Sequence, residues 1–154
     1  MTTSIYLAGA SKELAFCESL RDRLTTAGNT ITFDWMATVR ANLHRPDREI
    51  GREERRNYAL ADLRGVADAG IFWLVTPEKP SIGCWVELGA ALMASRSIQG
   101  PQHSPGRPLV VVSGKWATLF QDTADRCFPT HEEALAMLLQ ETFPRPGEGR
   151  LVGQ

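Results

Sequence analysis

Apolar and polar positions along the chain fall into alternating short runs and longer periodic stretches. SIYLAG (4–9) is an apolar run ending in glycine, which predicts a buried first strand. In SKELAFCESLRDRLTTAG, Leu14, Cys17, Leu20 and Leu24 recur at helical spacing, Ser11 is placed to cap the start and Gly28 to end it. NTITFDW (29–35) alternates as a second strand, and 47–67 mixes charge with alanine and leucine at helical spacing, predicting a helix. AGIFWLVT (69–76) reads as a third, fully buried strand. A loop at 77–80 leads to an apolar helix over 85–95. A turn-rich loop, QGPQHSPGRP (99–108), precedes a fourth strand, PLVVVSG (108–114). RCF (126–128) predicts a short fifth strand. The helix after it has Thr130 as N-cap and Glu133 at the capping-box position.

Strands alternating with helices imply a parallel sheet covered on both faces. The expectation is one α/β domain of flavodoxin or Rossmann type, with a five-stranded, mostly parallel sheet. It is assigned to residues 1–143, and 144–154 to a mobile tail. Sheets of this kind bind ligands beyond the carboxyl ends of their strands, near the switch in strand order. That rule selects the loops 9–12, 34–40, 76–84 and 113–116.

Against this pattern one residue is out of character. PSIGCWVELGAAL (80–92) is apolar nearly throughout, yet carries Glu87. On a wheel of 100° per residue, Glu87 shares its side of the helix with Gly83, Cys84, Ala90, Ala91 and Ala94, all small. The bulky Trp85, Val86, Leu88, Leu92 and Met93 lie elsewhere. A solvated first-turn glutamate, favoured by ~0.3–1 kcal/mol from the helix dipole, is one account. A carboxylate with a partner or a task beside the crevice is the other. Asp62, near the end of the charged helix, is equally open between a solvated face and a site residue. Tyr6, inside the first strand, needs a partner for its hydroxyl, and a carboxylate near the crevice would serve.

Composition narrows the classes. The chain of 154 residues suits one core, and its net charge of −1 gives no basic field for a nucleic-acid polymer. The longest apolar run is too short to span a membrane, and the N-terminus lacks the pattern of a signal peptide. Three cysteines without C-x-x-C spacing argue against a disulfide framework or zinc site, and three histidines show no metal spacing. No metal or cofactor is therefore expected, and the cytoplasm is the expected compartment.

Four segments in order, IYLAGAS (5–11), DLRGVADA (62–69), PSIGCWVELGAA (80–91) and RPLVVV (107–112), resemble the nucleoside 2-deoxyribosyltransferases and their nucleotide N-glycoside hydrolase relatives. The resemblance implies cleavage of an N-glycosidic bond in a nucleoside or nucleoside 5′-monophosphate. Glu87 would attack the anomeric carbon, Tyr6 would orient it, and Asp62 would act near the nucleobase. Six residues before the glutamate, nucleoside transferases usually carry an aspartate. Here stands Ser81, as in the nucleotide-hydrolysing branch, where the serine contacts a 5′-phosphate. A hydroxyl at a helix start accepts a phosphate that a carboxylate would repel. Gly9, Ser11 and Gly83 join Ser81 as candidate substrate or phosphate contacts, with simple capping the plainer account of Ser11 and Ser81. Trp35 can stack on a base, although a core position fits it better. The resemblance also implies a homodimer or larger homo-oligomer. Two other functions fit the same pattern: a TIR-like glycohydrolase of NAD or another dinucleotide, and a nucleotide-binding sensor without turnover. Cys84 as nucleophile lacks a histidine partner by any sequence argument.

Overall fold

The computed structural model describes residues 3–46, 49–79, 81–95 and 107–140. A five-stranded sheet, parallel throughout, runs in the order β2-β1-β3-β4-β5, with β1 Ser4–Ala8, β2 Thr30–Ile31, β3 Ile71–Val75, β4 Leu109–Ser113 and β5 Arg126–Phe128. This order is that of flavodoxin-like folds, whose switch point lies between the first and third strands. The helices are α1 Leu14–Thr26, α2 Trp35–Asn42, α3 Arg52–Asp68, α4 Ile82–Ser95 and α5 His131–Leu138. Among the described residues, no helix is long and apolar enough to cross a membrane.

The sheet forms where the apolar runs are. Every residue of β3 is buried, as its unbroken apolar run requires of a central strand. Side chains alternate across the sheet, so register partners share a face. Tyr6 pairs with Phe72 and their rings stack 5.9 Å apart, on the side where α3 and α4 pack together. Leu7, Trp73 and Val111 line the other face, where α1 meets α5. All four periodic positions of α1, Leu14, Cys17, Leu20 and Leu24, are buried. Gly28 leaves that helix at φ +89°, a backbone region that suits glycine.

Four boundaries differ from the sequence expectation. The second strand is two residues rather than seven: the Asp34 carboxylate accepts a hydrogen bond from the Ala37 amide and starts α2. Local capping overrides an alternating pattern that continued through Trp35. Ser11 caps nothing, because the chain enters α1 through a 3-10 turn, Ser11–Glu13, whose capping position is Ala10. Helix α3 starts at Arg52, after Gly51 in extended conformation. Helix α4 begins at Ile82, so Glu87 lies in its second turn. The helix dipole, which acts within the first turn, therefore does not account for the acid. By contrast, the Thr130–Glu133 capping box forms in full at the head of α5. The tail 144–154, the domain boundary at 143 and most of the loop 99–108 lie outside the described residues.

Candidate active site

Three elements bring Tyr6, Asp62 and Glu87 together. The Tyr6 hydroxyl, from the middle of β1, lies 3.0 Å from Asp62 Oδ1 on α3 and 3.0 Å from Glu87 Oε1 on α4. Its ring is fully buried, while both carboxyls are partly buried. The three are separated by 56 and 81 residues of sequence, so only the packing of α3 against α4 over β1 assembles them.

A glycine that sequence reasoning did not single out makes this contact possible. A Cβ on Gly65 would lie 2.6 Å from Phe33 Cβ and 2.9 Å from the Tyr6 ring. Gly65 is three residues after Asp62, on the same side of α3. Its bare backbone lets the helix sink onto the tyrosine ring, and Asp62 then reaches the hydroxyl. The available signal was a lone glycine inside a helical pattern, which often marks close packing.

The electrostatics follow from burial and mutual proximity. Burial, and then the nearby Asp62 charge, push the Glu87 carboxyl up to about 8, against the favourable contact from Tyr6. Burial also raises Asp62, and its hydrogen bond from Tyr6 opposes that rise. Burial and the two carboxylates hold the Tyr6 phenol far above its ordinary range, so it stays neutral. Glu87 is therefore the carboxyl that favours its proton near neutral pH, and Asp62 too sits above the ordinary carboxylate range. Two carboxyls that share one buried phenol are suited to divided acid and nucleophile roles.

A cleft of about 240 Å³ opens beyond the carboxyl ends of β1 and β3, at the switch in strand order. Ser11, Lys12 and Glu13 line one side and Glu78, Lys79 and Ser81 the other. Glu13 ties the two rims together, its Oε1 accepting the Glu78 amide at 2.8 Å.

The remaining candidates fare differently. Ser11 and Ser81 both face the cleft. Gly9 has a packing role: a Cβ there would lie 2.5 Å from Cys17 Sγ and 3.5 Å from the Trp35 ring. Gly83 is exposed, and a Cβ on it would meet nothing within 4 Å, so the smallness expected to admit a ligand serves no visible contact. Trp35 belongs to the core, not to a base-stacking wall: it is buried and its indole donates to the Leu7 carbonyl at 2.7 Å. An indole whose ring and N–H are both used inside the protein has no face left for a ligand. Burial pushes the Cys84 thiol up to about 11, the opposite of an activated nucleophile. Sequence reasoning also missed His131, whose Nδ1 lies 2.8 Å from the Ser113 hydroxyl, which in turn accepts the Trp73 indole N–H at 2.8 Å. Gly114, at φ +95°, gives the His131 ring its place. Among the described residues, no group of three or more His, Cys, Asp or Glu is disposed to hold a metal ion.

No protein-family model, curated protein or solved structure matches this chain.

Proposed function

We propose that this chain cleaves the N-glycosidic bond of a nucleoside 5′-monophosphate or nucleoside, by hydrolysis or by transfer to another base. The convergence of Glu87 and Asp62 on one buried phenol carries the reading. Breaking such a bond develops positive charge at the anomeric carbon and negative charge on the departing base. Glu87 as carboxylate traps the sugar carbon as an ester, and Asp62 as acid protonates the base. Water or a second base then resolves the ester. A sensor that only binds nucleotide has no use for two partly buried carboxyls joined through one phenol, and this favours turnover over binding alone.

The cleft supports a phosphorylated sugar. Ser81 lies six residues before Glu87, roughly 9 Å along a helix axis, a span suited to a pentose phosphate lying along the start of α4. Lys12 and Lys79 offer charge on either rim, set against Glu13 and Glu78. The test is incubation with nucleosides, their 5′-monophosphates and NAD, followed by chromatography for free base. Base released from a monophosphate is the expected result. Release of nicotinamide alone would favour the dinucleotide reading, and ligand-induced thermal stabilisation without any free base would favour a sensor. In the same assay, Ser81→Asp is expected to reduce kcat/KM on monophosphates by about 10–100-fold while sparing nucleosides, because a rim carboxylate repels phosphate. An equal loss on both substrates would remove Ser81 from phosphate contact.

The self-association implied by the family resemblance has a surface to suit it. Ile82, Val86 and Met93 form one outward stripe on α4, exposed by 83, 56 and 61 %. Trp116, Leu119 and Phe120 are also exposed, and Phe120 borders with Gly89 a groove of about 380 Å³. Apolar side chains concentrated in this way mark an interaction surface more often than free solvent. Met93→Glu is expected to shift the chain toward monomer in sedimentation, and a wild-type chain that sediments as monomer at micromolar concentration would refute the assembly.

A further inference from the structure

A phenol has one hydrogen and two lone pairs. The Tyr6 hydroxyl nevertheless makes two contacts of 3.0 Å to two carboxyl oxygens. It can donate to only one of them. The other contact is a hydrogen bond only if that carboxyl carries a proton and donates it to the phenol oxygen. The surroundings agree. Among the described residues, the groups that act on Glu87 are Asp62 from α3 and Tyr6 from β1, and Asp62 feels Tyr6, with no cation contributing to either. Two partly buried carboxyls joined through one phenol by two contacts of hydrogen-bond length share a proton in addition to the phenol's own.

We propose that Tyr6 passes this proton from the nucleophile to the acid: Glu87 gives its proton to the phenol oxygen while the phenol gives its own to Asp62. This inference rests on the glycosidic-bond reading above. The exchange balances, since Glu87 becomes a carboxylate, Asp62 becomes a carboxylic acid and Tyr6 remains a phenol. The Glu87 carboxylate then forms a bond to the anomeric carbon. The electrons of the glycosidic bond leave with the base, which takes the proton from Asp62. No phenolate forms, as the strongly raised ionisation of Tyr6 requires. Tyr6 thus does more than orient Glu87: one shift across two hydrogen bonds readies nucleophile and acid together.

The sign of the pH dependence separates this from orientation alone. If Glu87 had to lose its proton to solvent before attacking, kcat/KM would climb as pH rises through about 8. If the proton is the one later given to the base, its loss abolishes the acid, and kcat/KM falls through the same range. The experiment compares the full chain with Tyr6→Phe from pH 5 to 10, on deoxynucleoside monophosphates and on 2-deoxyribose 5-phosphate carrying 4-nitrophenol, a leaving group that needs no protonation. The expected result is a wild-type profile that falls above about pH 8. Tyr6→Phe should lose about 10²–10³-fold on the nucleotides and measurably less on the nitrophenyl substrate, where Glu87 must still shed its proton but the leaving group needs none. A profile that climbs above this pH, or an equal loss on both substrates, overturns the proton transfer while leaving the glycosidase reading in place. Infrared titration reads the proton without turnover. A protonated-carboxyl band should persist through neutral pH in the wild type, vanish in Glu87→Gln and shift in Tyr6→Phe. Absence of that band at pH 7 overturns the proposal whatever the activity. Presence of the band with no free base from any substrate overturns the glycosidase reading, and the transfer step with it.

Discussion

Glu87→Gln is expected to lower base release by about 10⁴-fold or more while strengthening the fold at alkaline pH. The amide keeps the shape of the acid, and its N–H can donate to the Tyr6 oxygen as the protonated carboxyl does, so the site stays assembled. What is lost is the ability to become a carboxylate nucleophile. Stability moves the other way. The folded-state ionisation of Glu87 is raised to about 8, above its value in an unfolded chain. The contribution of that proton is therefore fully present below the ordinary carboxylate range and disappears as pH rises toward 8. The wild type should lose stability across this window, on the order of a few kcal/mol at ~1.4 kcal/mol per pH unit. The glutamine variant, with nothing to ionise at this position, should keep it. Melting curves at pH 5 and pH 9 check this: near agreement at pH 5 and a higher midpoint for the variant at pH 9. Equal midpoints at pH 9 would mean that Glu87 titrates as an ordinary surface acid, and undiminished base release would eliminate it as nucleophile.

Gly65→Ala is the second large effect, reached through packing. In an open helix the change should stabilise, because alanine is favoured over glycine by ~0.8–1 kcal/mol. Here the new methyl would meet Phe33 Cβ at 2.6 Å and the Tyr6 ring at 2.9 Å. Neither neighbour yields easily. Phe33 Cβ is bonded directly to backbone, and the Tyr6 ring is stacked on Phe72 and held at its hydroxyl by two carboxyls. Overpacking of this kind costs about 1–3 kcal/mol and outweighs the gain in helix propensity. The cheapest relief is to push α3 outward, which takes Asp62 away from the hydroxyl. A displacement of about 1 Å at a reacting group costs on the order of 10²-fold in rate. Thermal unfolding and kcat/KM should therefore fall together. A variant that gains stability and keeps full activity would show that α3 does not need this glycine to place Asp62.

The proportion legible in the sequence varies with the range of the forces involved. Strands β1, β3 and β4 were readable because a run of buried apolar residues has no other stable use in a chain of this length. The capping box at Thr130 was readable because its donors and acceptors lie within four residues. The second strand is shorter than its alternation implies because Asp34 capping and strand alternation compete over the same few residues, and only packing decides between them. Trp35 shows the same limit: the contact that fixes it in the core, its indole N–H donating to the Leu7 carbonyl, spans 28 residues of sequence. Gly65 was passed over because its significance lies in Tyr6 and Phe33, residues far from it in the chain.

The order of apolar and polar positions by itself determined an α/β domain with a central buried strand, and it marked Glu87 as an acid out of keeping with its helix. Local hydrogen bonds and the need to bury apolar runs are enough for that. Tertiary structure alone decided what the acid faces. Whether Glu87 meets water or a phenol shared with Asp62 depends on how closely α3 and α4 settle over β1, a matter of side-chain volumes from distant parts of the chain. That approach removes both carboxyls from much of the solvent and joins them through one hydroxyl, which is why both ionise above the ordinary carboxylate range.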